Sequence, residues 1–247
     1  MPNLKDQVVL ITGANRGQGN GIAQHFASLG AKVALGARNL EDAEALSFEM
    51  GQSQSLPVQL DVTKETDWAA AIESVIQAYN KIDVLVNNAG IFIKKPLLET
   101  TAEDFHQLIQ VNQLGVFMGI KAVAPYMEKQ QKGSIINNVS ISAFSPINDA
   151  AAYAASKAAV SNLSQSAAIE LGPKGIRVNS IHPGVIQTNM VSNSNLEVDE
   201  AEAIPLKRLG QSNDIAKVAA FLASDESAYC NGAEIVVDGG LTLGTNI

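Results

Sequence analysis

The chain of 247 residues is 46% hydrophobic and 17% charged, which is enough apolar content for one large core and leaves no linker-like or low-complexity stretch. Its formal charge of -8 repels polyanions, which argues against nucleic acid as a partner, and the single cysteine, Cys230, excludes an intrachain disulfide framework. Met1 to Leu10 lacks an apolar signal core and no apolar run reaches about 18 residues, so a soluble, cytoplasmic protein without a membrane partner is expected.

Short runs rich in β-branched residues alternate with longer segments of helical period. The predicted strands are Gln7 to Thr12, Lys32 to Gly36, Leu56 to Leu60, Ile82 to Val86, Ser134 to Val139, Arg177 to His182 and Glu234 to Val237. Most are apolar on both faces, as strands covered by helices on both sides must be. Between them Ile22, Phe26 and Leu29 fall at i, i+4 and i+7, and Trp68, Ile72, Val75 and Ile76 mark a second amphipathic helix. The pattern predicts an α/β fold: one domain over residues 1–247, a doubly wound parallel sheet with helices on both faces. Ligands of such sheets sit outside the carboxyl ends of the strands, so the residues there carry the functional reading.

After the first strand comes Thr12-Gly13-Ala14-Asn15-Arg16-Gly17-Gln18-Gly19, then a helical pattern. Glycines allow close backbone approach, and the free N–H groups and dipole of a helix start attract phosphate. The second strand ends in Leu35-Gly36-Ala37-Arg38, the third is followed by Asp61-Val62, and the fourth by Asn88-Ala89-Gly90. Asn112 follows Val111 inside a helical segment, where its amide competes for backbone hydrogen bonds. Ser140 and Ser142 follow the fifth strand, each with a hydroxyl that could bind a substrate oxygen. Tyr153 and Lys157, four apart in the helical segment Ala150 to Leu171, project from one face, and the other three tyrosines have no lysine at the fourth position. A cation beside a phenol is expected to stabilise tyrosinate and bring its pKa down toward neutrality. Pro183-Gly184, Ile186 and Thr188 follow the sixth strand.

The glycine turn, the Asn-Asn-Ala-Gly motif from Asn87, the Ser140, Tyr153 and Lys157 set, the Pro183-Gly184 segment and the closing Val237-Asp238-Gly239-Gly240 occur in the order found in short-chain dehydrogenases/reductases, which the chain resembles over nearly its whole length. Departures from the family pattern are Gln18, where an apolar residue is usual, and Ala143-Phe144, where a glycine is usual. The resemblance implies a Rossmann-like fold and hydride transfer between NADP(H) and a small carbonyl or alcohol, such as a ketone or a 3-oxoacyl thioester. Tyr153 would be the general acid/base, supported by Lys157, and Ser140, thirteen positions before it, would be the substrate-binding serine, with Ser142 the alternative. Asn112 would hold a water leading from Lys157 to solvent. Gly13, Asn15, Arg16, Gly17, Gln18, Gly19, Arg38, Asp61, Val62, Asn88, Ala89, Gly90, Val111, Tyr153, Lys157, Pro183, Gly184, Ile186 and Thr188 would contact the cofactor.

The family's NAD enzymes place an acid where this chain has Ala37, and its NADP-preferring members carry basic residues at the positions of Arg16 and Arg38, which implies NADP(H). Family members commonly pack helices such as those near Thr100 to Met127 and Ala152 to Leu171 against symmetry mates, implying a homotetramer or else a dimer. Other chemistries fit less well. His25, His106 and His182 are scattered and form no metal-ligand spacing, and no G-x-S-x-G elbow supports a hydrolase. A sugar-nucleotide epimerase or dehydratase of the extended branch would carry G-x-x-G-x-x-G and an added domain. A cofactor-sensing regulator would not need the Ser, Tyr, Lys and Asn set. Phe144, Ile147, Ile186 and Met190 suggest a partly apolar substrate pocket. Lys129, Lys132 and Lys174 are either a docking face for an acidic carrier or a solvated surface.

Overall fold

The computed structural model describes residues 2–51, 54–188 and 199–244. Seven parallel strands form one sheet in the order β3-β2-β1-β4-β5-β6-β7. They are β1 (Val8–Thr12), β2 (Lys32–Ala37), β3 (Ser55–Gln59), β4 (Val84–Asn87), β5 (Gly133–Asn138), β6 (Ile176–Pro183) and β7 (Glu234–Val237). All seven predicted strands are present, each displaced by no more than two residues at either end. Pro57, inside β3, has no N–H for a ladder, and β3 lies at the sheet edge, where that loss is tolerated.

Alternate strand residues feed two cores. Val9, Ile11, Val33 and Leu35 pack with α1 (Gly17–Ser28), α2 (Leu40–Met50) and the helix Ser212–Ala223. Val8, Leu10 and Ala34 face the opposite layer, built by α3 (Glu65–Tyr79), α5 (Gly115–Gln130) and α6 (Ala151–Leu171). Phe26 anchors the first core and Trp68 the second, both almost wholly buried; a fully buried side chain of this size contributes about 1.5–3 kcal/mol. Trp68 also donates its indole N–H to the Val62 carbonyl at 3.1 Å. Gly119 of α5 lies against its ring, where a Cβ would come within 2.7 Å.

Helix α4 (Ala102–Leu108) begins at a capping box made by Thr101 and Asp104, then runs through a π-helical turn, Ile109–Leu114, directly into α5. The predicted disturbance around Asn112 is therefore a wide turn inside a continuous helical path, a geometry often found at functional sites. A short α7 (Asp199–Ala203) precedes α8, the helix Ser212–Ala223.

Because every strand runs the same way, Thr12, Ala37, Asn87, Asn138 and Pro183 end on one rim. The chain builds outward from β1 to β3 and then crosses to β4 on the other side of β1. The crevice between those two strands is where this architecture binds ligands.

Candidate active site

The glycine turn and the Asn88 loop meet in that crevice. Thr12 accepts at its hydroxyl from the N–H groups of Asn88, at 3.0 Å, and Ala89, at 2.9 Å, and Asn88 returns its amide to the carbonyls of Thr12 and Gly13 at 3.0 and 3.1 Å. Gly13 and Gly17 adopt positive φ, +63° and +55°, which a side chain would disfavour. Gly19 has no room for a Cβ, which would overlap the Gly13 carbonyl oxygen and lie 2.5 Å from the Asn88 amide nitrogen. Helix α1 starts at Gly17 without a side-chain cap, which leaves the first-turn N–H groups that a helix start offers to an anion without a side-chain acceptor. This cradle fits a dinucleotide phosphate: Gly13, Gly17 and Gly19 keep side-chain bulk off the turn at those positions, and a helix start favours negative charge.

At the adenosine end, Ala37 is buried, Arg38 beyond it is exposed, and Arg16 is exposed at the mouth of the glycine turn. Asn15 donates to Asp42 at 3.1 Å. Burial raises the Asp61 carboxyl, but hydrogen bonds from the Thr63 hydroxyl and N–H, together with the charges of Lys64 and Arg38, outweigh it and hold the pKa below the ordinary value. Val62 packs under Gly115, where a Cβ would come within 2.8 Å of its side chain, so the π turn and the loop after β3 are in direct contact.

Ser140 follows β5 and Tyr153 opens α6, and the Ser140 side chain lies close enough to the phenol to act against the rise in its pKa. Ser142 is buried and uses its backbone N–H to donate to Ser140 Oγ at 3.1 Å, so of the two serines Ser140 is the one paired with the phenol. Lys157 lies one helical turn beyond Tyr153. Its ammonium is 5.8 Å from the ring centroid and donates to the Asn138 carbonyl at 3.0 Å.

The expected lowering of the phenol is not what this geometry produces. Burial pushes the Tyr153 pKa above its ordinary value, and the Ser140 hydrogen bond opposes this only in part. Burial also brings Lys157 down to about 8, so the cation that was to stabilise tyrosinate is itself penalised and is engaged by a carbonyl. Both effects favour the protonated phenol in this geometry.

A lysine with a lowered folded pKa costs stability while it must stay charged. Between about 8 and 10.5 the unfolded chain holds a proton that the folded chain has lost, so stability rises with pH across that window. Lys157→Met should therefore melt about 5 °C above wild type at pH 7, with the gap closing by the upper end of the window. Thermal melts of the ligand-free protein across pH check this, and a variant less stable than wild type at pH 7 would contradict the burial account.

Asn112 lies fully buried in the π turn. Its Oδ1 accepts from the Ile91 N–H at 2.8 Å, and its Nδ2 donates to the Ile91 carbonyl at 3.0 Å and to Ser156 Oγ at 3.1 Å. The amide thus clamps the loop after Gly90 to α6, and both of its hydrogens are committed to protein. Gly90 sits between the two functional side chains: a Cβ there would lie 3.3 Å from Asn112 Oδ1 and 3.7 Å from Lys157 Nζ. Val111 packs partly buried beside Asn112.

Pro183 ends β6, and Gly184 passes so close to Asp238 that a Cβ would approach its Cα at 2.8 Å. The chain then bridges Ile186 to Gly210 and brings Thr188 over Gly17, where a Cβ would touch its methyl at 3.5 Å. Ile186 is buried in the core rather than lining a pocket, whereas Phe144 and Ile147 are exposed near the site. Met190 lies outside the described residues. Lys132 pairs with Asp225 at 2.7 Å and Lys174 with Glu128 at 2.9 Å, which leaves little of the lysine group for an acidic carrier.

Sequence reasoning missed three neighbours of Ser140, Tyr153 and Lys157. Phe92 packs edge-on against Tyr153, with ring centroids 4.9 Å apart. His182 is buried, with Nδ1 3.0 Å from the Ser140 carbonyl, and burial lowers its pKa. Asn138 supplies the acceptor for Lys157. Only Asn138 carried a signal, as a polar residue in a strand otherwise buried on both faces.

A family model described as Enoyl-(Acyl carrier protein) reductase matches residues 13–242. Trans-4-hydroxycyclohexanecarboxylate dehydrogenase of Sinomonas cyclohexanicum is 39% identical, covering 98% of this chain and 95% of the relative. The 3-alpha-(or 20-beta)-hydroxysteroid dehydrogenase of Mycobacterium bovis is 38% identical, covering 96% and 90%. Among solved structures, a short-chain type dehydrogenase/reductase from Mycobacterium marinum superimposes with a TM-score of 0.94 at 33% identity, covering 98% of each chain. The 3-ketoacyl-(acyl-carrier-protein) reductase of Brucella melitensis complexed with NADH gives 0.93 at 34% identity, covering 97% of this chain and all of that one. The chain belongs to the short-chain dehydrogenase/reductase family, and is an oxidoreductase that moves a hydride between a nicotinamide cofactor and a carbonyl or alcohol group.

Proposed function

We propose that the protein interconverts a small, partly apolar ketone and its secondary alcohol with NADP(H), cyclic substrates being the first to test. The Ser140 side chain beside the Tyr153 phenol, with Lys157 one turn away on the same helix, carries this reading. The substrate class is suggested by relatives named for a hydroxycyclohexane carboxylate and a hydroxysteroid, and by exposed Phe144 and Ile147 at the rim. NADPH oxidation measured over a panel of cyclic ketones, steroids, quinones, sugars and 3-oxoacyl thioesters tests it. Turnover confined to the thioesters would overturn the substrate class, and no turnover with any carbonyl would overturn the enzymatic role.

In the reductive direction a reduced nicotinamide, when bound, would supply the hydride. Ser140 holds the substrate oxygen, and Tyr153 gives that oxygen its proton, a transfer worth about 10²–10⁴-fold. Lys157 keeps positive charge beside the phenolate that results. With both hydrogens of the Asn112 amide committed to Ile91 and Ser156, a proton route past Lys157 would use main-chain carbonyls of the widened turn.

The pH dependence follows in sign. Reduction needs a protonated Tyr153 and a charged Lys157, so its rate should fall as pH rises through about 8, where Lys157 loses its proton. Oxidation needs the phenolate and should rise with pH. Initial rates in both directions from pH 6 to 10, with chemistry shown to be rate-limiting, check this; a flat reductive profile would contradict the assignment.

The assembly is proposed to be a homotetramer, with a dimer as the lesser alternative. Exposed Phe105, Phe117 and Ile169 on α4, α5 and α6 offer apolar surface to symmetry mates. Light scattering giving a mass near the 26.0 kDa monomer would contradict it.

A further inference from the structure

Gln18 and Asn138 are half-buried polar residues on the rim, and they are bonded to each other across 120 residues of chain at 2.9 Å. The same Asn138 nitrogen donates to Asn88 Oδ1 at 3.0 Å. The orientation of this amide chain is determined from its far end. Asn88 must present its NH2 to two backbone carbonyls, Thr12 and Gly13, so its oxygen faces Asn138 and requires a donor there. Asn138 then spends both hydrogens, one on Asn88 and one on the oxygen of Gln18. What remains is the Gln18 NH2, without a partner among the described residues, on the second residue of α1 beside the uncapped N–H groups of the phosphate cradle. The main-chain carbonyl of Asn138 is meanwhile the acceptor for Lys157.

We propose that the Gln18 side chain is a hydrogen-bond donor to the dinucleotide, directed at a phosphate or nicotinamide-side oxygen, and that Asn138 is a positioning residue that aims it and ties the cofactor turn to Lys157. Asn138 Oδ1, buried and without a partner among the described residues, is the cost of this arrangement, since an apolar pair would leave no such atom. The inference rests on the nicotinamide-dependent function proposed above.

The test separates binding from packing. Dissociation constants for NADPH, without substrate, are read from fluorescence transfer for wild type, Gln18→Leu, Gln18→Glu, Asn138→Val and the Gln18→Leu/Asn138→Val double variant, alongside their melting temperatures. Loss of a donor to a charged oxygen should weaken NADPH binding about 10-fold or more in Gln18→Leu. Gln18→Glu should be weaker still, because it keeps the acceptor for Asn138 and replaces the donor with a negative charge. The double variant, in which the Gln18 oxygen is removed together with its donor but the Asn88 oxygen still lacks one, should regain only part of the melting temperature lost in Asn138→Val while its NADPH affinity stays low. A wild-type dissociation constant in Gln18→Leu, or a double variant that recovers affinity together with stability, overturns the inference. If wild type binds neither NADPH nor NADH, the functional reading falls and takes this one with it; wild-type binding with an indifferent Gln18 removes this one alone.

Discussion

Tyr153→Phe should fold, bind the nicotinamide cofactor and lose about 10²-fold or more in kcat. The substitution keeps the ring and its edge-on contact with Phe92 while removing the hydroxyl on which the Ser140 side chain acts. The loss belongs to the transition state, because the proton moves as the substrate oxygen gains charge, so kcat should fall further than cofactor affinity changes. Because burial holds the wild-type phenol above its ordinary pKa, the protonated acid is favoured, and the loss should vary little with pH below the Lys157 transition at about 8. Steady-state kinetics with a separately measured cofactor dissociation constant decide the matter. Near-normal kcat on the substrate found by the panel would remove Tyr153 as the acid.

Preference for NADP(H) over NAD(H), on the order of 10²-fold in kcat/KM, is the second large effect expected. The end of β2 offers no carboxylate: Ala37 is buried, and the next side chain, Arg38, is exposed and cationic. Arg16 lies exposed at the mouth of the glycine turn, so the two guanidinium groups are available for a 2′-phosphate. Each charge-assisted hydrogen bond is worth about 1.5–3 kcal/mol, and exposure pushes each toward the lower figure, which sets the 10² estimate. Arg38 also helps hold Asp61 ionised, so part of its charge is shared with the chain. The measurements are kcat/KM for NADPH and NADH with wild type, Arg16→Ala, Arg38→Ala and Ala37→Asp. Both arginine variants should weaken NADPH use, and Ala37→Asp should do so while improving NADH use. Its melting temperature is the control for burying a carboxylate. A wild type that favours NADH would end the proposal.

Much of the site was legible because its chemistry is written in short spacings. Tyr153 and Lys157 share a helical face at four residues' separation, and the glycine turn follows its strand directly. The side-chain commitments were harder to foresee. Asn112 was expected to disturb its helix and does so, within a π turn, but its clamp on Ile91 and Ser156 joins segments 21 and 44 residues away. Ile186 was taken for pocket lining and is core, because the bridge to Gly210 turns that segment inward. The direction of the Tyr153 pKa was misjudged for the same kind of reason: a lysine four residues away is visible in sequence, and the desolvation of both groups is not.

By itself, the sequence determined which segments become strands and helices, that the strands are covered on both faces, and which residues stand at their carboxyl ends. Hydrophobic period and local turn chemistry act over a few residues, so they survive without any knowledge of the partner elements. Only the tertiary structure decided the strand order, the meeting of Thr12 with the Asn88 loop, and the amide chain from Gly13 to Gln18. These depend on which distant groups are desolvated together. A buried amide must then bond whatever donor or acceptor the packed chain brings within about 3 Å, however far away in sequence that group lies.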